Sequence, residues 1–226
     1  MEENSRLQLY VPAGLSFVAR IYLHRRDIGD PRISLEIEET QMKFDFTNFT
    51  AKVAELNRLH KLVHESSELR WRTGKTEDIE HWEKAVKDWK EFSGFGYPET
   101  KFYFFENQTF LAALSAGDAE AKESAIKYLE FDPYYYRSGY IKSKLLVRLK
   151  QLKLNASEIK RLQKVVCNAI LSPLPKSEFK YYAGLLKNIG TPEFRAKLQN
   201  LSVPDLPYLK ARQECCLQEV YWRNKR

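Results

Sequence analysis

The chain has 226 residues, with 37 Lys and Arg against 30 Asp and Glu for a formal net charge of +7. Hydrophobic residues make up 43% and aromatics 13%, enough apolar surface to bury a core, which excludes a disordered chain. No apolar run approaches the roughly 18 residues that span a bilayer, and the opening MEENSRLQLYV lacks the basic and long apolar regions of a signal peptide.

Charge is unevenly distributed. Residues 133–226 hold 19 Lys and Arg against 6 Asp and Glu, whereas residues 1–132 hold 18 against 24. The split predicts an anionic surface as the partner of the C-terminal part. Cys167, Cys215 and Cys216 are odd in number and have no framework spacing, so they read as reduced thiols in a cytoplasmic protein.

In chain order, the first 46 residues read as β. Leu7, Leu9 and Val11 alternate with polar neighbours, as do Phe17, Ala19, Ile21 and Leu23, then Ile33, Leu35 and Ile37, then Met42, Phe44 and Phe46. This period of two predicts a small antiparallel sheet with one buried face. Helix takes over near residue 50, with Val53, Leu56, Leu59 and Val63 on one arc. A second helix is expected from Thr76, as N-cap, to Phe92, with Ile79, Trp82, Val86 and Trp89 on its core face. The run Ser93–Pro98 breaks it, and Lys101–Phe105 (KFYFF) reads as one more strand.

From Asn107 onward the pattern is helix after helix. Asn107 and Asp118 are expected caps. Ile141, Leu145, Leu149 and Leu152 mark a further helix, and Asn155 with Glu158 forms an N-x-x-E capping pair before Ile159, Leu162, Val166 and Ile170. Phe179 to Ile189 follows, then Thr191-Pro192-Glu193 in the order of cap, N1 proline and first-turn acid. Asp205 opens the last helix. The predicted fold is therefore α+β. An N-terminal α+β part (1–106) with a small antiparallel sheet precedes a basic all-α part (107–226) of stacked antiparallel helices. Over roughly residues 107–222 the layout resembles an α-solenoid of the HEAT kind, with an irregular bundle as the alternative.

Eight cations form the candidate nucleic-acid or anion-binding surface. Lys160, Arg161 and Lys164 lie opposite the apolar arc of their helix, and the preceding helix adds Lys142, Lys144, Arg148, Lys150 and Lys153, which flank its apolar stripe on both sides. Such residues suit phosphates, which need charges at intervals and no exact motif. Beside them, Tyr134, Tyr135, Tyr136 and Arg137 form a candidate aromatic contact for bases or for a protein partner.

Catalytic signals are weak. His60 and His64 have the i, i+4 spacing of helical metal sites, but Lys61 stands where H-E-x-x-H needs glutamate. Glu99 and Lys101 form an E-x-K that, with Asp30 or Asp45, sketches a metal-dependent nuclease. Cys215 and Cys216 fall at helical positions near Leu209 and Val220 and read as buried structural thiols. No phosphate-binding loop or nucleophile elbow is present, and no metal or other cofactor is expected. The sequence thus predicts a non-catalytic binding protein, outside the membrane, whose partner is nucleic acid or an acidic protein. In the second case it is a protein-interaction adaptor.

Overall fold

The computed structural model describes residues 43–94 and 101–218. Antiparallel helices α1 (Phe49–Thr73) and α2 (Thr76–Ser93) form a hairpin. A short 3-10 helix, Lys101–Glu106, leads to α3 (Gln108–Ala116), α4 (Ala119–Phe131), α5 (Ser138–Leu149) and α6 (Ala156–Leu171). The chain continues through α7 (Phe179–Ile189), α8 (Pro192–Gln199) and α9 (Pro207–Leu217). All these elements belong to one compact unit, residues 42–226.

Helix accounts for 76% of the described residues, and no strand occurs among them. The fold class is thus corrected from α+β to a helical bundle. The strands expected over residues 7–37 lie outside the described residues. Two other expected strands fall on described residues, and neither forms, for physical reasons. Phe44 and Phe46 do face the core together: Phe44 lies 4.9 Å from Phe105, and Phe46 stacks on Phe131 at 5.2 Å. An extended segment laid across helices buries alternate residues just as a strand does, without any ladder. Lys101–Phe105 is rich in strand-forming aromatics, but it winds into a 3-10 turn that buries Phe102, Tyr103 and Phe105 together, without the alternation of a strand. Strand propensity reports packing context, and here helices supply that context.

Helix starts follow local chemistry closely. The side chain of Asn107 accepts from the Thr109 N–H, Asp118 from Ala121 and Thr191 from Phe194. Asn155 and Glu158 form the complete reciprocal capping box. Gly117 closes α3 at φ 83°, a left-handed conformation that favours glycine. Two expected caps are displaced. Lys75 occupies the N-cap position of α2, with Thr76 already helical, and Leu206 precedes Pro207 at the start of α9. Asp205 instead pairs with Lys210 at 2.6 Å.

Helices pack both on their chain neighbours and on the next helix but one. α5 lies against α3 and α7, α7 against α9, and α4 against α6. At the base of the α1–α2 hairpin an aromatic core joins Phe49, Phe102, Phe105, Phe110 and Tyr128, with Phe105 and Tyr128 centroids 4.4 Å apart. This core runs across the junction at 106/107. The Tyr128 and Tyr135 hydroxyls hydrogen-bond at 2.7 Å, satisfying two phenols that burial would otherwise leave costly. Of the two expected core tryptophans, Trp89 is 8% exposed and packs on His60 and Tyr136. Trp82 is only half-buried, under the Arg70 guanidinium. Trp89→Ala should therefore lower the unfolding free energy by about 3–5 kcal/mol. Trp82→Ala should cost clearly less, as urea unfolding of the two variants will test.

Candidate anion-binding surface

Much of the charge asymmetry is neutralised inside the chain. Glu106, Glu123, Glu130 and Asp132, all in the acidic part, receive cations from the basic part. Glu106 Oε1 accepts from Lys144 Nζ at 3.0 Å and from Arg137 at 3.2 Å. Arg161 spreads its fork over two carboxylates on one face of α4, reaching Glu123 at 2.6 Å and Glu130 at 2.7 Å. Glu123 and Glu130 are seven residues apart, two turns of helix, so one planar guanidinium can span them. The Arg161 hydrogen bonds hold the Glu123 carboxyl below its ordinary range.

Asp132 is the deepest meeting point. It closes α4 in a left-handed conformation, φ 46°. Lys142 Nζ from α5 lies 2.6 Å from Oδ1, and Lys176, from the segment between α6 and α7, donates to both oxygens. Glu178, the N-cap residue of α7, lies 3.8 Å from Lys142 Nζ. Burial pushes the Lys142 ammonium down, and its carboxylate neighbours work against that shift. The helices meet closely here: a Cβ added at Gly139 would stand 3.1 Å from Glu178 Oε2. Nearby, the buried Tyr182 hydroxyl has no hydrogen-bond partner among the described residues.

The eight candidate cations consequently divide. Lys142 is 1% exposed and leaves the candidate surface. Lys144 and Arg161 are ion-paired, and Arg148 donates to the carbonyls of Leu111 and Lys144. Lys150, Lys153, Lys160 and Lys164 are exposed and carry no ion pair among the described residues. They run along the joint before α6 and the outer face of its first turns. The opposite arc of α6 buries Leu162, Val165, Val166, Ala169 and Ile170. The capping box fixes where the helix begins, and the Arg161 fork ties it to α4, so the lysine stems stand on a rigid base.

The aromatic joint also divides. Tyr135 is interior, its hydroxyl held by Tyr128 and its backbone N–H donating to Ser138 Oγ at 3.1 Å. Tyr134, Tyr136 and Tyr140 remain exposed, Tyr140 at 69%. The joint is tied to the hairpin: Asn57 Nδ2 donates to the Tyr134 carbonyl at 2.8 Å, and Tyr136 stacks on His60 at 5.1 Å. Arg137 takes φ 66° and lies 5.8 Å over the Tyr140 ring.

Other candidates gain no chemistry. His60 and His64 meet edge to face at 4.5 Å, and burial, with His64 beside it, lowers the His60 pKa. Among the described residues no group of three or more His, Cys, Asp and Glu converges to hold a metal. Glu99 and Asp30 lie outside the described residues. Asp45 is exposed, accepts from the Thr47 N–H and pairs with Lys52 at 3.4 Å. Burial raises the thiol pKa of Cys216 and of Cys167, which opposes thiolate reactivity. No described helix is long and apolar enough to cross a membrane.

Sequence reasoning missed the hub residues Glu106, Asp132, Lys176 and Glu178. A signal existed only for Lys142, which shares an i, i+3, i+4, i+7 arc with Leu145, Leu146 and Leu149. No protein family, curated protein or solved structure matches the chain.

Lys142→Ala should cost about 3–5 kcal/mol, because it strips a buried pair of one partner. Lys160→Ala should stay within about 0.5 kcal/mol. Urea unfolding distinguishes the two. The depressed Glu123 carboxyl gives a pH test. Its contribution is full above the ordinary value of 4.5 and is lost as pH falls through the lower folded value. Arg161→Met should therefore flatten the acid limb of a stability-against-pH profile.

Proposed function

We propose that the protein is a non-catalytic binding module whose α6 face engages the phosphate backbone of nucleic acid. The observation that carries this reading is the positive charge that remains after internal pairing. Lys150, Lys153, Lys160 and Lys164 stay exposed and unpaired among the described residues, on one helix and the joint that leads into it. Lysines act as point charges, and a backbone asks for charge at intervals without a fixed motif. Ion pairs to Glu123 and Glu130 occupy the neighbouring Arg161, so it serves as the clamp that positions the face rather than as a direct ligand of phosphate.

A second reading, a protein-interaction adaptor, is favoured by a different observation. Tyr134, Tyr136 and Tyr140 expose large ring area around Arg137, and tyrosine and arginine are the residue types that anchor protein interfaces. The expected location is the cytoplasm.

Salt-dependent binding separates the readings. Backbone binding should give a steep fall of affinity with salt, and chelation of metal should leave it unchanged. Lys160→Ala and Lys164→Ala should each weaken binding about equally for unrelated sequences. Each should also lower the slope of log K against log salt by about 0.7 to 0.9 for every phosphate no longer neutralised. A wild-type protein without affinity for DNA or RNA at low salt would overturn the backbone reading. Co-purification of a protein partner that is abolished by Tyr140→Ala would then support the adaptor.

A further inference from the structure

The turn of the α1–α2 hairpin carries a second set of groups that the α6 face does not use. Trp71, in the last turn of α1, is 80% exposed. An indole so placed forgoes the burial that a tryptophan normally gains. Beside it the Arg70 guanidinium lies 3.4 Å from the Trp82 ring centroid and 5.2 Å from that of Trp71. Arg70 makes no ion pair among the described residues, and its Nε is buried without a hydrogen-bond partner. A cation held in place by two indoles and lacking a counter-ion is pre-organised for an anion. Arg72 and Lys75 add two exposed charges that are likewise unpaired among the described residues. Gly74, at φ 65°, makes the turn that brings Lys75 round. The acidic groups of the turn, Glu77 and Asp78, lie in the first helical turn of α2, where the helix dipole stabilises them, and Asp78 accepts from the Thr73 hydroxyl.

We infer that this hairpin tip is a single-strand nucleic-acid contact, in which Trp71 stacks an unpaired base and Arg70, Arg72 and Lys75 hold the adjoining phosphates. The inference rests on the nucleic-acid reading and extends it. The flat exposed indole selects a base over a plain polyanion, because every base offers a π face. The surrounding cations supply charge complementarity to the backbone.

The test uses the full chain and a fluorescein-labelled oligothymidylate, with a duplex of the same length as control. Trp71→Ala should weaken single-strand binding about 5- to 100-fold. It should leave duplex binding, the melting temperature and the salt slope unchanged, because stacking releases no counter-ions. Trp71→Phe should retain most of the affinity. The Arg72→Ala, Lys75→Ala double variant should lower the slope by about 0.7 for every phosphate it no longer neutralises. Wild-type affinity in Trp71→Ala overturns the tip contact. If Lys160→Ala and Lys164→Ala still weaken binding, only the tip falls and the α6 reading stands. A wild-type chain that ignores both nucleic acids overturns the two together. A Trp71→Ala variant that keeps its affinity for DNA and releases an acidic protein partner overturns the tip contact alone.

Discussion

Asp132 organises the electrostatics of the bundle. A carboxylate at the end of α4 draws in Lys142 from α5 and Lys176 from the approach to α7, with Glu178 alongside. Buried ions are costly to desolvate, so such a group persists only when each charge is met. Two ammoniums and two carboxylates meet that condition and link α4, α5 and the start of α7. Arg212 reinforces the same end from α9, donating to the carbonyls of Ala169, Ser172 and Leu174, where α6 runs out of intrahelical partners.

A large net charge in one part of a chain does not by itself describe a surface. Here the acidic and basic parts meet side by side, and Glu106, Glu123, Glu130 and Asp132 between them absorb Arg137, Lys142, Lys144, Arg161 and Lys176 from the basic part. The potential available to a ligand is set by what remains, which includes four exposed lysines by α6 and the cations at the hairpin turn. Each set stands beside a rigid element. The aromatic joint between α4 and α5 is different, since its inward Tyr135 anchors the loop while the Tyr134 and Tyr140 rings stay exposed.

How much of this was legible in the sequence follows from the range of the forces involved. Capping acts within three residues, so Asn107, Asp118, the Asn155–Glu158 pair and Thr191 could be read directly, and the helices they begin with them. The helical period gave the buried arc of α6 and thus the outward Lys160 and Lys164. Alternation at Phe44 and Phe46 was real but ambiguous, because an extended chain and a paired strand bury the same residues. The aromatics of Lys101–Phe105 misled through propensity. Ion pairs such as Arg161 to Glu123 join residues 38 apart and leave no local trace. Counting charge could not tell Lys142, sunk among leucines, from Lys160 in solvent.

The Asp132 cluster also sets an order of events in time. Its two ammoniums come from residues 10 and 44 positions further along the chain. On a ribosome, which releases sequence from the N-terminus onward, the end of α4 emerges first, then Lys142, and Lys176 only after α5 and α6 have followed. Until then Asp132 is a half-met carboxylate that water must serve, and α4 and α5 can meet without being fixed. Only with Lys176 and Glu178 in place is the cluster complete, so the last third of the chain supplies the partners that the middle third requires.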